Sequence, residues 1–575
     1  MSVDGGVEGG LEEPAQLEPE QGALDLADPE DAWTIADWEK GAAAVLRKAR
    51  RLTDEDPDDL VWKKLTRPTL DGIGVTPLGT RALLEEVRTT GRPPRQGDWD
   101  VRVHVDGADA KAANEEVLVD LEGGVTSLWL QRGTDLGTLL EGVRLDLAPV
   151  VLDGIDPAAL LAYAEGRELH PGTNLGVPAQ DATAEAARQA VDHGVLGFVV
   201  DATVVHDRGA SDVQELAWSV ATGAAYLRTL ADTGIAIEQA ARLVEFRYAA
   251  TAEQFPTIAK LRAARRLWAR VLELSGAGDV PQRQHVVTSR PMMTRYDPYV
   301  NMLRTTVAAF AAGVGGADSV TVLPFDGPLG RPEQLGRRVA RNTSHLLIDE
   351  AHVAHVADPA GGAYAVEKLT DDLALTAWEL FGRLDEDPEA DRVLDEAIAE
   401  TVARRDAEIA RRKRPVTGLT EFPNAAEVLP QRAAYDGWND VRAYGAAFEA
   451  LRDDPVAAPV FLATLGTVAQ HTARATFATN LLAAGGVAVE VAGPTADPGE
   501  VAAAYAGQPV VCLAGSDPTY AEWGADAAAA LRAAGARHVI LAGKPAGPLA
   551  EAVDDSCALG ADALDFLTRT REKLS

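Results

Sequence analysis

Short apolar runs alternate with amphipathic stretches between about residues 100 and 380. The runs fall at 126–131, 149–154, 196–202, 245–250, 284–289 and 319–326. Stretches with helical periodicity separate them, at 157–166, 182–193, 212–233 and 253–274. Such alternation predicts βαβ units and a parallel sheet. The length and the number of units favour a closed (β/α)8 barrel, a TIM barrel, with an open doubly wound sheet as the alternative.

The pattern changes twice after the predicted barrel, which we assign to residues 41–384. Residues 385–456 are highly charged and lack a good strand, which predicts a helical linker. Residues 457–575 predict a flavodoxin-like doubly wound domain. Its predicted strands are 459–464, 487–491, 509–514, 538–542 and 561–566, and its predicted helices are 473–484, 498–506, 520–534 and 548–557. Ligands of such domains bind at the carboxyl ends of the strands, so the loop after the first strand is the place to look.

The first 40 residues form an acidic arm. Residues 1–31 contain no Lys or Arg and are rich in Gly, Pro and Glu, a composition typical of disorder. The arm is either a solvated tail or a segment that orders on a partner. Trp33, Ile35 and Trp38 follow and could anchor it, because exposed aromatic side chains favour burial against another surface.

Composition excludes several classes of protein. The chain has 54 Lys and Arg against 88 Asp and Glu, a net charge of −34, which disfavours binding to nucleic acid. Two cysteines, Cys512 and Cys557, exclude a disulfide framework and a four-thiolate zinc site. No uncharged apolar run is long enough for a membrane span, and no basic residue precedes Lys40, so we expect a cytoplasmic protein without a signal or transit peptide.

Short sequence motifs for nucleotide or metal binding do not identify a function. Neither a G-x-G-x-x-G after a strand nor a G-x-x-x-x-G-K-[ST] is present. His352 and His355, beside Asp349 and Glu350, have a spacing that could place two metal ligands on one helix face. A third ligand is not visible, so the pattern favours no metal site.

Four longer blocks carry a family resemblance. They are 209–228 (GASDVQELAWSVATGAAYLR), 289–326 (SRPMMTRYDPYVNMLRTTVAAFAAGVGGADSVTVLPFD), 337–381 (including RNT and the DP-x-GG-x-Y core) and 411–423 (RRKRPVTGLTEFP). In this order they resemble the adenosylcobalamin-dependent acyl-CoA mutases, specifically methylmalonyl-CoA mutase. The resemblance implies a barrel threaded by acyl-CoA, a wrapping linker and a C-terminal cobalamin domain.

The C-terminal domain departs from the family pattern. Members that carry cofactor have D-x-H-x-x-G after the first strand of this domain, where the His binds cobalt from below and the Asp orients it. The matching positions here are Val468, Gln470 and Ala473, and the adjacent His471 is one residue out of register. A later Gly pair has become Ala542-Gly543. The resemblance therefore implies a degenerate cobalamin domain.

The barrel departs as well. The family's S-G-Y-H-M-Q-E-A-G-A block is DATVVHDRGA here, with Val204 at the His and Thr203 at the Tyr. Valine can neither donate nor accept a proton, which leaves that acid role empty. His206 shares a face with Val204 only if the segment is extended. His104 replaces a substrate-side Tyr, and S-Q-T-S-G-W is VVTSRP at 286–291.

Together these losses imply that the chain holds no catalytic, cofactor-binding or metal residue of its own. Some family members are heterodimers, and the resemblance implies a small (β) subunit paired with a large (α) subunit. That partner would hold the adenosylcobalamin and interconvert methylmalonyl-CoA and succinyl-CoA. Two alternatives remain. One is a cobalamin-independent acyl-CoA isomerase or lyase using Asp201, His206 and Asp207, and the other is a module that delivers cofactor to a mutase.

Overall fold

Residues 32–575 are described by the computed structural model, apart from 86, 88, 279 and 388. They fall into two units by their contacts: residues up to 67 with 74–77, and residues 68–73 with 78–575. Most of the predicted acidic arm lies outside the described residues. None of the helices in the described part of the chain combines the length and hydrophobicity needed to span a bilayer.

The N-terminal unit holds two helices, α1 (Ile35–Lys48) and α2 (Leu60–Leu65). Thr34 caps α1 through a reciprocal pair of hydrogen bonds with Asp37. Of the three predicted anchors, Trp38 contacts Trp62 with 4.6 Å between ring centroids. The other two are exposed, at 80% for Trp33 and 50% for Ile35. Two short strands, β1 (Arg67–Pro68) and β2 (Gly74–Val75), come next in the chain.

The second unit begins with a closed barrel of eight parallel strands, which confirms the barrel prediction over the open sheet. The strands are β3 (Asp100–Asp106), β4 (Ser127–Gln131), β5 (Val150–Asp153), β6 (Asn174–Pro178), β7 (Leu196–Asp201), β8 (Val244–Ala250), β9 (Arg283–Thr288) and β10 (Ser319–Thr321). Neighbours in sequence pair in order, and β10 closes the ring on β3 through Ser319 opposite Asp100. All seven residues of β8 are buried, as expected for a strand covered on both faces.

Helices cover the outside of the barrel. They are α3 (Ala110–Glu122), α4 (Leu136–Leu139), α5 (Pro157–Tyr163), α6 (Ala184–His193), α7 (Thr203–Asp207), α8 (Asp212–Ala231), α9 (Ile237–Arg242), α10 (Gln254–Leu274), α11 (Tyr299–Val314), α12 (Gln334–His345) and α13 (Tyr364–Glu386). Ser211 starts α8 with a capping box that includes Gln214. Pro157 starts α5 at a position where a missing N–H costs nothing.

The connection to the C-terminal domain contains α14 (Ala390–Ala410) and α15 (Ala446–Asp453). The residues between these helices are mostly irregular in backbone, and the segment RRKRP at 411–415 lies in this irregular part. The segment predicted as a helical linker thus contains one long helix, α14, and one short helix, α15, with an irregular segment between them.

A five-stranded parallel sheet completes the chain. Its strands are β11 (Val460–Thr464), β12 (Val489–Val491), β13 (Val510–Ala514), β14 (His538–Ala542) and β15 (Asp555–Cys557). The spatial order β12-β11-β13-β14-β15 is the flavodoxin-like order, which confirms that prediction. Its helices are α16 (Val468–Ala484), α17 (Pro498–Ala504), α18 (Asp517–Thr519), α19 (Ala525–Ala533), α20 (Leu549–Ala552) and α21 (Ala563–Leu574).

Four strand assignments from the sequence need correction. The predicted strand at 561–566 lies in the loop before α21 and in its first turn, where Asp562 caps the helix. The fifth strand is β15, inside the segment predicted as a helix at 548–557. In the barrel, β3 and β6 were not among the predicted strands.

Candidate functional site

The lower part of the barrel axis holds a buried ion pair. Arg102 on β3 and Glu245 on β8 both point inward, with 2.7 Å between Nη1 and Oε1, and neither side chain is exposed. Arg102 also donates from Nε to Ser127 Oγ at 3.0 Å. Two large charged side chains therefore occupy the space that a molecule lying along the barrel axis would need.

The layer above is filled by Trp129 and Arg247. The guanidinium of Arg247 lies 4.0 Å from the centre of the Trp129 ring, a cation–π contact. Its Nη1 reaches Asp201 at 2.5 Å, and its Nε donates to His285 Nδ1 at 3.1 Å. Burial is the main cause that holds the pKa of His285 well below its ordinary value, and nearby Arg102 adds to it. The barrel axis is therefore filled by side chains that are joined to one another by a cation–π contact, an ion pair and a hydrogen bond.

His104, expected at the position of a substrate-side tyrosine, lies at the upper end of the same axis. Its Nε2 is 3.3 Å from Gln131 Oε1, and its Nδ1 is 3.1 Å from the hydroxyl of Tyr435. Burial, with help from the positive charge of Arg290, lowers the pKa of His104 to about 3. The imidazole is thus neutral and held by protein partners on both nitrogens.

Residues 432–444 lie across the carboxyl end of the barrel, and we call this segment the mouth strap. The backbone N–H of Arg331 donates to Ala433 O at 2.9 Å at one end. Tyr435 contacts β3 through His104. At the other end the N–H of Arg442 donates to Asp207 O at 2.8 Å. In (β/α)8 enzymes this end of the barrel carries the active site, and here part of the chain itself covers it.

The segment after β7 is helical, so Val204 and His206 do not share a face. Val204 is 49% exposed on α7, whereas His206 is buried. His206 Nε2 lies 2.7 Å from Ser289 Oγ, and its Nδ1 lies 3.4 Å from Glu215 Oε2. His206 therefore serves a buried network and does not stand in for the missing histidine at position 204.

That network is anchored by Lys260, which lies 2.7 Å from Glu215 and 2.9 Å from Asp212. Although burial opposes it, Lys260 and His206 keep the pKa of Glu215 below its usual range. The network links α8, α10 and the loop after β9. Ser289 is buried as well, so all three members of the Ser–His–Glu set are buried side chains.

The acid–base set of the isomerase or lyase alternative is divided among different partners. Asp201 accepts hydrogen bonds from Arg247 and Thr203. Asp207 pairs with Arg290 at 3.0 Å, and burial still raises the pKa of Asp207. His206 faces Glu215, so the three groups do not converge on one reacting atom as general acid–base catalysis requires.

In the C-terminal domain, Gln470, which the resemblance aligns with the cobalt-ligand histidine, caps its own helix. Its Oε1 accepts from Thr467 N at 2.7 Å and from Thr467 Oγ1 at 2.9 Å. The close approach needs Gly466, because a Cβ there would lie 2.5 Å from this oxygen and its φ is +85°. Val468 is the first residue of α16, so a helix begins at the position where the family motif has its orienting Asp.

The remaining positions of the motif do not restore a ligand set. His471 is buried in the first turn of α16, with its Nδ1 3.2 Å from Gly466 O. Ala473 puts a methyl group where the motif has Gly. The motif implied by the resemblance would hold the cofactor with a histidine and a carboxylate that orients it, and Gln470 and Val468 supply neither. The residues present do not fit the cofactor.

The two histidines considered for a metal lie in the loop after α12. The rings of His352 and His355 are stacked with 4.4 Å between centroids. Across the described residues, no group of three His, Cys, Asp or Glu side chains is placed to hold a metal ion.

The residues that close the barrel were not predicted. They are Arg102, Trp129, Glu245, Arg247 and Tyr435. A usable signal was present, because polar residues at alternate positions of β3 and β8 (DVRVHVD and VEFRYAA) point to the barrel interior.

An eight-stranded parallel barrel joined to a flavodoxin-like sheet gives this chain the two-part architecture implied by its resemblance to the acyl-CoA mutases. The family model described as methylmalonyl-CoA mutase matches residues 195–506. The chain is 43% identical to the methylmalonyl-CoA mutase small subunit of Streptomyces virginiae, over 97% of this chain and 99% of that protein. The chain belongs to the methylmalonyl-CoA mutase family.

Two other relatives are also described as methylmalonyl-CoA mutase small subunits, one of them as probable. Identity is 40% to the probable methylmalonyl-CoA mutase small subunit of Mycobacterium bovis, over 88% of this chain and 92% of that protein. It is 34% to the methylmalonyl-CoA mutase small subunit of Propionibacterium freudenreichii subsp. shermanii, over 96% of both chains.

Proposed function

We propose that this chain is the non-catalytic small subunit of a heterodimeric adenosylcobalamin-dependent methylmalonyl-CoA mutase. The large subunit would bind the cofactor and interconvert methylmalonyl-CoA and succinyl-CoA. One observation carries the proposal: the side chain at the cobalt-ligand position, Gln470, is an amide committed to capping its own helix. An amide oxygen that already accepts two hydrogen bonds does not replace an imidazole ligand.

The barrel supports the same conclusion. A radical rearrangement requires a dry cavity that holds the substrate precisely. Here the axis is occupied by Trp129, Arg247 and the Arg102–Glu245 ion pair, and the mouth strap covers its carboxyl end. The catalytic histidine position carries the exposed Val204. A chain that keeps both folds but neither site suits a structural role in the mutase.

The partner is inferred from the relatives, whose names describe small subunits. We infer a large subunit that shares an obligate interface, a class that buries about 2,000–5,000 Å². Trp33 and Ile35 are exposed at the start of the N-terminal unit and suit a contact with that partner.

Co-expression with the large subunit tests the proposal. We expect a one-to-one complex that contains one cobalamin per heterodimer, and no isomerisation of methylmalonyl-CoA by this chain alone. Trp33→Ala combined with Ile35→Ala should weaken the complex. Val428→Ala, at an exposed apolar position far along the chain, is the matched control and should not. Two cobalamins per heterodimer, or turnover by the isolated chain, would refute the proposal.

A further inference from the structure

Flavodoxin-like domains bind ligands in a crevice outside the carboxyl ends of the strands, at the point where the strand order reverses, which is between β11 and β13 here. Arg474, on the helix α16 that follows β11, reaches from there to the loops after β13 and β14. Its Nη1 donates to Gly515 O at 2.9 Å, in the loop after β13. A Cβ on Gly543, in the loop after β14, would lie 3.2 Å from its Cζ. One guanidinium thus contacts both loops.

Two side chains hold Arg474 in this position. Asp517 at the start of α18 forms an ion pair with it. The ring of Tyr520 lies beneath the guanidinium, with 4.7 Å from Cζ to the ring centre. A planar cation that is stacked on one face and hydrogen-bonded at its edge has little freedom to move aside.

Tyr520 is itself fixed within the crevice. It is 8% exposed, and its hydroxyl accepts from Gly515 N at 2.9 Å. The same hydroxyl lies 3.0 Å from Leu513 O and 2.9 Å from Ala542 O, so it connects the ends of β13 and β14. The Arg474 guanidinium therefore rests on a tyrosine that is itself held by the ends of both strands.

We propose that Arg474, held by Asp517 and Tyr520, is a plug that excludes a corrinoid from this domain independently of the missing cobalt ligand. The inference deepens the proposed function and rests on it. The two barriers differ in kind. Gln470 removes the bond to the metal, whereas Arg474 occupies the space between the loops that a ligand at the strand ends must enter.

The plug predicts that restoring the family motif is not sufficient. The triple variant Val468→Asp, Gln470→His and Ala473→Gly recreates the ligand set and leaves Arg474 in place. We expect no measurable binding of hydroxocobalamin by this variant of the full-length chain. Adding Arg474→Ala should give binding, with a gain of about 2–30-fold in affinity, the factor that corresponds to the cation–π contact that a ligand would otherwise have to break.

Equilibrium dialysis with hydroxocobalamin measures the affinity, and the corrin absorption spectrum reports whether histidine coordinates cobalt. Arg532→Ala in the triple background is the matched control. Arg532 lies on α19 and forms an ion pair with Asp554, so its removal also breaks an ion pair of this domain but leaves Arg474 in place. Circular dichroism checks folding. If Arg474→Ala does not fold, Asp517→Ala at a highly exposed position frees the guanidinium and should raise the affinity in the same direction.

The outcomes separate the two ideas. Stoichiometric binding by the wild-type chain would overturn the proposed function. Binding by the triple variant as tight as by the quadruple variant would refute the plug and leave the proposed function intact. A folded quadruple variant that still binds no corrinoid would also refute the plug.

Discussion

Protonation of His104 provides a direct test of the closed barrel. The ring lies between Gln131 and Tyr435 at the top of the axis, and burial lowers its pKa to about 3. In the unfolded chain a histidine titrates near about 6.5. We expect the barrel to lose stability on acidification, and we expect His104→Gln to remove that part of the loss.

The sign and size follow from linkage. Because the unfolded state binds the proton first, the contribution is fully present above about pH 6.5 and is lost as the pH falls towards about 3. At about pH 5 the gap from the unfolded pKa is about 1.5 units, which corresponds to a loss of about 2 kcal/mol. Because His104 as a whole residue is only partly buried, this figure is an upper bound.

The assay compares the free energy of unfolding at about pH 7 and about pH 5. Urea unfolding should be followed by circular dichroism, and hydrogen exchange of peptides from β3 and β4 reports the barrel specifically. His193→Gln is the matched control, because His193 is an exposed residue at the end of α6. It should keep the wild-type pH dependence, whereas His104→Gln should flatten it. Equal slopes for wild type and His104→Gln would refute the buried, neutral imidazole.

Five further variants test the buried charges and the cap. Glu245→Gln should destabilise the barrel by up to about 3–5 kcal/mol, because Arg102 loses its fully buried carboxylate partner and keeps only the partly exposed Asp100. Arg102→Met with Glu245→Leu should be close to neutral, and thermal unfolding measures both effects. Lys260→Met should lower the free energy of unfolding by about 3–5 kcal/mol and raise the pKa of Glu215. Protonation of Glu215 should therefore reduce this destabilisation at acidic pH, as urea titrations will measure. A destabilisation that does not change with pH would contradict the network. Gln470→Ala should cost about 1 kcal/mol and Gln470→Glu nearly nothing in calorimetry of the full chain, and equal effects would refute the cap.

Periodicity predicted the architecture because both sheets are parallel and buried, which gives near-continuous apolar runs. It failed where a strand lacks that signal. β6 reads NLGVP, and its Gly and Pro are typical of a loop. β15 is three residues long, and the apolar residues of 561–566 belong to the helix capped by Asp562. Short edge strands carry too few residues to outweigh a neighbouring helix.

From the sequence, only the loss of the family's motif residues at the candidate site could be predicted. The motif positions Val468, Gln470 and Ala473 can be read from the resemblance, but the replacement roles cannot. Gln470 as a cap and Arg474 as a bridge depend on distances between loops that are far apart in sequence. The closing of the barrel by Trp129 depends on the positions of Asp153 and Arg247 on other strands. Such contacts arise from tertiary packing and leave no local pattern.

The mouth strap also sets an order of events during synthesis. Tyr435 meets His104 across 331 positions of chain, so this contact is impossible until the strap has left the ribosome. At about 5–20 residues per second, translation of the chain between Thr321 at the end of the last barrel strand and Tyr435 takes roughly 6–23 s. During that interval the nascent barrel presents an uncovered ring of charged and aromatic side chains, and the strap is the last piece needed to shield it.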